Sequence, residues 1–275
     1  MVKRISGAVV VLFSCILLTG CFSTPGSTAN CNHRGMDWTG ITTVSDTGMA
    51  TEIGMQSAVR INAFWPPATK GSTGSGVIYK ISGRYAWAFT NYHVIYKFAG
   101  GVSTNIDVYF YGHEDVTNNY TVQMIGGDID ADIAIIKIDF LSVNGRPDCI
   151  RAADLYTGNL CLGERVVAIG NPIGLGLSIS SGVISRLNCK VLLDKLDQAE
   201  NATGTIEMNG LIRTDAAINP GNSGGGLFNI EGKLIGIVSS KLDSTSTVDV
   251  VEGFGYAIPI SVAITIANSK NATKI

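Results

Sequence analysis

The chain has 275 residues, of which 45% are hydrophobic and 15% are charged, and this composition excludes a wholly disordered chain. The net charge is -2 and there is no long run of lysine or arginine that could bind phosphates. Nucleic acid is therefore excluded as a partner. The 33 glycines indicate many turns and favour an all-β fold.

The first 20 residues have the pattern of a signal peptide. Lys3 and Arg4 form a basic start, and the mostly apolar run from Ile5 to Leu18 is too short to span a bilayer comfortably. The run leads into Leu-Thr-Gly-Cys21, which resembles the bacterial lipobox, so Cys21 is predicted to carry a lipid. The alternative is an ordinary cleaved signal with an incidental cysteine. The lipoprotein interpretation places the protein in the bacterial cell envelope, anchored to a membrane on the periplasmic or outer-surface side, with the outer membrane as a candidate.

The rest of the chain is predicted to be a flexible tether followed by one domain in two halves. Residues 21–50 are rich in Ser, Thr, Gly and Asn, which is typical of a tether. Residues 51–275 form the domain, with a first barrel over about 51–142 and a second over about 160–259. Short apolar or alternating runs, separated by turn residues, predict about six strands in each half. The predicted strands are Ser57–Phe64, Gly76–Ile81, Tyr85–Thr90, Ile106–Tyr111, Tyr120–Ile125, Asp132–Phe140, Arg165–Gly170, Leu177–Leu187, Thr205–Thr214, Gly225–Ile230, Lys233–Ser240 and Gly253–Ile258.

The last segment, Pro259–Lys270, fits two structures. Its isoleucines and valine alternate with other residues, as in a strand, but Pro259 at its start and the alanines within it also suit a closing helix. The helix is the prediction.

Four cysteines remain after the signal peptide and Cys21 are set aside. Cys31, Cys149, Cys161 and Cys189 allow three pairings in an oxidising compartment. Cys149 and Cys161 lie close in sequence and are predicted to form one disulfide. The three histidines are scattered and there is no C-x-x-C motif, so neither a metal site nor a cofactor is predicted.

Ser223 lies within Asn219-Pro-Gly-Asn-Ser-Gly-Gly-Gly226, a glycine-rich segment. A serine among glycines can sit on a tight turn with its hydroxyl accessible to a substrate backbone. The amides of Gly221 and Ser223 would then converge on a developing oxyanion. Alone, the segment fits a glycine-rich hairpin tip equally well.

Two further motifs supply a base and an acid. His93 follows an apolar strand, and imidazole has the pKa needed to activate a serine hydroxyl. Asp132 leads into an isoleucine-rich strand, where a carboxylate is removed from water unless it is paired, and the ring N–H of His93 would pair it. The structural alternatives are a histidine that caps a strand end and a turn built from Asp128, Asp130 and Asp132.

The joint occurrence of the three residues favours catalysis. They follow the order His, Asp, Ser, which is the order of chymotrypsin-type barrels and not of subtilisins or α/β-hydrolases. His93 and Asp132 fall in the first set of strands and Ser223 in the second, which suits a site between two barrels.

The motifs resemble the protease domain of the HtrA (Deg) family. Thr90-Asn-Tyr-His-Val-Ile95 is similar to T-N-x-H-V-I, and Asp132-Ile-Ala-Ile-Ile136 is similar to D-I-A-L-I. Thr214-Asp-Ala-Ala-Ile-Asn-Pro-Gly-Asn-Ser-Gly-Gly225 is similar to T-D-A-A-I-N-P-G-N-S-G-G. The resemblance covers roughly 57–267 and implies two six-stranded antiparallel β-barrels with a short C-terminal helix. It also implies endopeptidase activity on unfolded or exposed protein segments and suggests a homo-trimer. The family's PDZ domains are not found in this sequence, and Gly226 stands where the family has proline.

The resemblance extends to the roles of neighbouring residues. The amides of Gly221, Asn222 and Ser223 are the candidate oxyanion donors. In trypsin-like chains an acid six residues before the serine selects Arg or Lys, but here that residue is Ala217. Ala217, Ile218 and Ser239 are therefore predicted to line a pocket for small aliphatic side chains.

Two other functions remain open from the sequence. A catalytically silent homologue would keep the fold and bind extended peptides as a chaperone or adhesin, and a structural β-domain would hold His93, Asp132 and Ser223 far apart.

Overall fold

A computed structural model describes residues 46–67, 71–97, 100–113, 120–196, 202–240 and 253–269. The predicted signal peptide, Cys21 and most of the predicted tether lie outside these residues. Within them the chain forms three α-helices, fourteen strands and two short 3₁₀ turns. In chain order these are α1 (Asp46–Ser57), β1 (Ala58–Phe64), β2 (Ser72–Ser82), β3 (Tyr85–Thr90), α2 (Tyr92–Ile95), β4 (Tyr96–Lys97), β5 (Gly101–Val102), β6 (Asn105–Phe110), β7 (Thr121–Asp128), β8 (Ile133–Asp139), a 3₁₀ turn (Val143–Gly145), β9 (Arg165–Gly170), a second 3₁₀ turn (Pro172–Gly174), β10 (Ser178–Leu196), β11 (Ala202–Thr214), β12 (Gly226–Asn229), β13 (Leu234–Ser239), β14 (Gly255–Pro259) and α3 (Ile260–Ser269).

The first six main strands form one antiparallel sheet in the order β6-β1-β2-β3-β8-β7. The prediction of two six-stranded antiparallel units is confirmed, but the first is a half-barrel, because its edge strands β6 and β7 do not pair in the described part of the chain. A cleft of about 460 Å³ lies along both edges, with Asn105 on one side and Thr121 on the other. Two-residue strands β4 and β5 pair separately.

The last six strands close into the predicted antiparallel barrel, in the order β10-β11-β14-β13-β12-β9. The hairpin of β10 and β11 is longer than predicted, since β10 runs to Leu196 and β11 begins at Ala202. This second barrel carries the glycine-rich serine segment immediately before β12.

Each half has its own apolar core, and a third cluster lies between the halves. The shared cluster joins Val77 and Phe89 of the first sheet to Val167, Ile169 and Phe228 of the barrel. Phe89 and Phe228 are fully buried, and burial of such a side chain contributes about 1.5–3 kcal/mol. The two sheets are therefore packed directly against each other.

Both long helices pack on this framework. Helix α3 is the predicted closing helix, and it buries Ile260, Ala263, Ile266 and Ala267, a helical and not a strand spacing. Helix α1 was not predicted: residues 46–50, assigned to the tether, are helical. Ala50 and Met55 of α1 are buried in the shared core, so packing supports a helix that the polar composition did not indicate.

The predicted disulfide between Cys149 and Cys161 is wrong. Cys149 is in a disulfide whose partner lies outside the described residues, whereas Cys161 has a free, exposed thiol. The chain between them runs from one half to the other: Ala153 donates to the first sheet, and Leu155 forms a parallel bridge to β13. This crossing keeps two cysteines that are close in sequence apart in space.

Within the described residues, no helix combines the length and the apolar character needed to cross a bilayer.

Candidate active site

Asp132 occupies the turn between β7 and β8 in an unusual backbone conformation. Its φ of 51° lies in the left-handed region, which aspartate tolerates better than most residues, and it is only 4% exposed. The turn brings its backbone carbonyl to the Asn91 side chain at 2.9 Å and to the Tyr92 amide at 3.2 Å, both of which donate to it. Asp128 and Asp130 remain exposed in the same turn, where Asp128 accepts from two backbone amides. Only one of the three aspartates is therefore buried.

His93 lies in helix α2, directly after β3, and its ring faces the Asp132 carboxylate. Nδ1 is 2.8 Å from Oδ2 and 3.0 Å from Oδ1, and the His93 backbone amide donates to Oδ1 at 3.0 Å. A carboxylate can only accept, so this contact favours the neutral tautomer that is protonated on Nδ1 and has its lone pair on Nε2. The histidine side chain is 29% exposed and that of Asp132 5%, so the pair joins a buried acid to a ring that is partly exposed to solvent.

The segment that carries Ser223 is bound to the end of the first sheet. The carbonyl of Ser223 accepts from the Ser75 amide at 2.8 Å. Gly224 has a φ of +86°, and a Cβ there would collide with the Ser75 carbonyl and the Thr90 hydroxyl. Only glycine permits this approach, which places Ser223 beside the strand that leads to His93.

The hydroxyl of Ser223 points to Ser240. Its Oγ is 2.7 Å from Ser240 Oγ and accepts from the Ser240 amide at 3.1 Å. In the described part of the chain no hydrogen bond joins Ser223 to His93. The preceding residue, Ser239, is fully buried and donates to Asp132 Oδ2 at 3.2 Å. Ser239 and Ser240, at the end of β13, thus contact Asp132 and Ser223. Because Asp132 also contacts His93, the three predicted site residues lie in one connected cluster.

Two of the three candidate oxyanion donors have amides without an acceptor among the described residues. These are Gly221 and Ser223, whereas the Asn222 amide donates to the Asn219 carbonyl at 2.9 Å and is therefore not available. The carbonyl of Pro220 accepts from Ile173 at 2.8 Å. Since N–H and C=O point in opposite directions across a trans peptide, the Gly221 amide faces away from Ile173.

Gly221 is required at its position. Its φ is +97°, and a Cβ would collide with the carbonyl oxygen of Asn171. The conformation and the close approach both exclude a side chain, which explains the glycine two residues before the serine.

The predicted pocket residues take three different positions. Ala217 is exposed, and its carbonyl accepts from Ser180 Oγ at 2.8 Å. Ile218 is 9% exposed and packs against Gly255, where a Cβ would collide with it. The Ser239 hydroxyl is turned to Asp132, and the assignment of Ser239 to the pocket stays a prediction.

The neighbour of His93 is uncharged at neutral pH. Burial raises the pKa of the Tyr92 phenol, and the nearby Tyr96 and Asp128 add to the increase. Among the described residues, no group of three or more His, Cys, Asp or Glu side chains is placed to hold a metal ion.

Two contacts of this site were missed by sequence reasoning. The consecutive serines at the end of β13 were read only as strand and pocket, although hydroxyls at a strand end near a buried acid are a usable signal. Ser75 contacts Gly221 across 146 positions of sequence and also contacts Ser223, and no local pattern marks it.

Comparison with known proteins gives a consistent set of relatives. The family described as Trypsin-like peptidase domain matches residues 74–237. The chain is 40% identical over 204 residues to a protein named Serine protease Do-like HtrA of Lactococcus lactis subsp. lactis, covering 73% of this chain and 45% of that protein. It is 37% identical over 193 residues to the protein of that name in Bacillus subtilis, covering 70% and 37%. The chain therefore spans less than half the length of these curated relatives.

Solved structures have the same fold. A structure titled HtrA-type protease AlgW with tripeptide has a TM-score of 0.60 at 29% identity, covering 82% of this chain and 63% of that chain. The crystal structure of the serine endoprotease from Yersinia pestis has a TM-score of 0.59 at 26% identity, covering 84% and 68%.

Proposed function

The chain belongs to the family of trypsin-like peptidase domains, and we propose that it is a serine endopeptidase with Ser223 as nucleophile. One observation carries the proposal: the carboxylate of the buried Asp132 lies 2.8 Å from Nδ1 of His93, near Ser223. The amides of Gly221 and of Ser223 itself have no acceptor among the described residues. This arrangement supplies an oriented base, a nucleophile and an anion site within one cluster of residues.

Catalysis requires the Ser223 hydroxyl to turn from Ser240 to Nε2 of His93. Catalytic hydrogen bonds in enzymes without substrate are often loose and tighten when substrate binds. Oγ then bonds to the carbonyl carbon of the substrate while its proton passes to Nε2. Asp132 stabilises the resulting imidazolium, and the same proton later passes to the leaving amine as the C–N bond breaks. Water then repeats the sequence to release the acyl group.

The oxyanion formed in this step would be bound by the amides of Gly221 and Ser223. Both are backbone groups fixed before the reaction, so they need no reorganisation as charge develops. Each such donor is worth about 3 kcal/mol. The Asn222 amide, already bonded to Asn219, supports the turn instead.

We propose that cleavage follows small aliphatic residues such as Val, Ala or Ile in unfolded or exposed segments. The residue six before the serine is Ala217, so no acid is available there for Arg or Lys, and the neighbouring Ile218 presents apolar surface. The relative solved with a tripeptide is consistent with a cleft for extended peptides. A peptide library with dominant cleavage after Arg or Glu would reject this specificity.

Placement in the cell envelope is a further proposal, supported by the lipobox-like sequence at Cys21. Mass spectrometry of the N-terminal peptide from cells would detect the lipid on Cys21. We also propose a homo-trimer on the basis of the family resemblance, and light scattering of the detergent-solubilised chain measures it directly.

A catalytically silent peptide-binding homologue is the second candidate. The hydrogen bond from Ser223 to Ser240, in place of one to His93, is the observation that favours it. Such a protein would bind unfolded casein without cutting it.

Digestion of unfolded casein by the detergent-solubilised full chain distinguishes the two. We expect fragments from the unmodified chain and from Ser181→Ala, an exposed serine of β10, but none from Ser223→Ala. Equal digestion by Ser223→Ala would reject the proposed nucleophile, and casein binding without fragments from the unmodified chain would favour the silent homologue.

A further inference from the structure

We propose that Ser75, on the first sheet, is a positioning residue that sets the orientation of the oxyanion-binding loop on the second barrel; the inference rests on the proposed function. Ser75 Oγ donates to the Gly221 carbonyl at 2.8 Å and accepts from the Asn171 amide at 2.8 Å. Ser75 is fully buried. A single hydroxyl therefore links β2 to two loops of the other half.

The backbone of Ser75 adds two more bonds. Its amide donates to the Ser223 carbonyl at 2.8 Å, and its carbonyl accepts from Thr90 Oγ1 at 2.7 Å. Every polar group of Ser75 has a partner. The Thr90 hydroxyl and the pairing of β2 with β1 hold its backbone from outside the loop.

The contact between Ser75 and Gly221 matters because the peptide groups on either side of a glycine rotate easily. Of the two peptide groups that flank Gly221, the one before it is held at its carbonyl by Ile173. The one after it is held at its carbonyl by Ser75 and at its amide by the Asn219 carbonyl. Loss of the Ser75 bond would leave the second group held only by Asn219, and rotation about Gly221 would then shift the Ser223 amide relative to the Gly221 amide. A Cβ placed on Gly170 would approach Ser75 Oγ to 3.0 Å, so the hydroxyl sits in a tight space.

The predicted effect falls on the chemical step and not on substrate binding. The amides of Gly221 and Ser223 meet full negative charge only as the oxyanion forms, so their misorientation raises the barrier without weakening ground-state binding. Loss of a whole oxyanion donor typically lowers kcat by about 10²–10³. Misorientation of a donor is milder than its loss, so we expect Ser75→Ala to lower kcat by about 10-fold to 100-fold.

Ser103 provides a matched control. It is also a buried serine of the first half, 4% exposed, and its Oγ donates to the carbonyls of Phe64 and Asn105 at 2.7 and 2.9 Å. Its contacts do not reach the second barrel. Ser103→Ala therefore removes a similar set of hydrogen bonds at a position outside the proposed site.

The experiment measures kcat, KM and the affinity of a peptide boronate on the full chain, with the melting temperature of each variant. We expect Ser75→Ala to lower kcat and boronate affinity by similar factors with KM within threefold, while Ser103→Ala changes kcat less than twofold. If Ser75→Ala does not fold, Ser75→Cys, which keeps the shape but donates weakly, is held to the same criteria.

The inference would be overturned if the Ser75 variant kept kcat within twofold of the unmodified chain, or if only its KM changed. Failure of a fluorophosphonate to label Ser223 in the unmodified chain would instead reject the proposed function, and the inference with it.

Discussion

Asp132→Asn is the substitution that tests the proposed mechanism most sharply, because it changes one oxygen to NH₂ in a group whose contacts are all defined. The His93 backbone amide can only donate, so the remaining oxygen of the new side chain must occupy the Oδ1 position. The NH₂ group then takes the Oδ2 position, 2.8 Å from Nδ1, and the Ser239 hydroxyl reverses to accept from it.

That exchange changes the tautomer of His93. An amide N–H facing Nδ1 stabilises the form protonated on Nε2, which has no lone pair for the Ser223 hydroxyl. We expect kcat to fall by about 10⁴, equivalent to about 5 kcal/mol at 1.36 kcal/mol per decade. The fold should survive, since the buried hydrogen bonds keep their number and only change direction.

The assay is cleavage of a fluorogenic peptide, with a melting curve recorded for each variant. Asp130→Asn is the matched control, since Asp130 lies in the same turn but is exposed. We expect the control to keep wild-type kcat. An Asp132→Asn variant that melts normally and keeps more than a tenth of wild-type kcat would refute the reasoning about the tautomer.

Three further predictions concern the loop, the nucleophile and the thiols. Gly221→Ala should lower kcat at least 100-fold, because its Cβ collides with a neighbouring carbonyl oxygen. Gly253→Ala should keep kcat, because Gly253 has a similar φ of +93° but no atom within 4 Å of the added Cβ. Equal kcat in the two variants would contradict the oxyanion assignment. Ser240→Ala removes a hydrogen bond of about 1 kcal/mol that competes with His93 for the Ser223 hydroxyl. The rate at which a fluorophosphonate labels Ser223 should therefore rise about twofold to tenfold. A slower labelling rate would be evidence against this competition. In the folded protein a thiol reagent should modify the exposed Cys161 at once and the buried Cys189 only on unfolding; early modification of Cys189 would contradict its burial.

Most of the fold could be predicted because its signals are local. Arg165–Gly170 and Tyr85–Thr90 were predicted to the residue, since each is an apolar run bounded by turn residues. The closing helix after Pro259 was also predicted, and the barrel of the second half is closed as expected.

The errors share a physical cause, which is tertiary packing that leaves no trace in local sequence. Helix α1 gains its stability from Ala50 and Met55 in a core built by distant strands. The proximity of Cys149 and Cys161 in sequence concealed a segment that crosses between the halves.

The chemistry of the site divides in the same way. Residue type and order were enough to nominate His93, Asp132 and Ser223, because each motif alone has a structural alternative but their joint occurrence in the order His, Asp, Ser favours catalysis. The side-chain direction of Ser239 depends on the register of β13 against the site, and this register cannot be read from one strand alone.

The most direct measurement is to treat the full chain with a fluorophosphonate and to locate the adduct by mass spectrometry of its peptides. A base-activated serine reacts, whereas an ordinary hydroxyl does not. The account predicts one adduct, on Ser223, that is absent in His93→Ala. No adduct on Ser223, or one that persists without His93, would contradict a serine activated by a histidine.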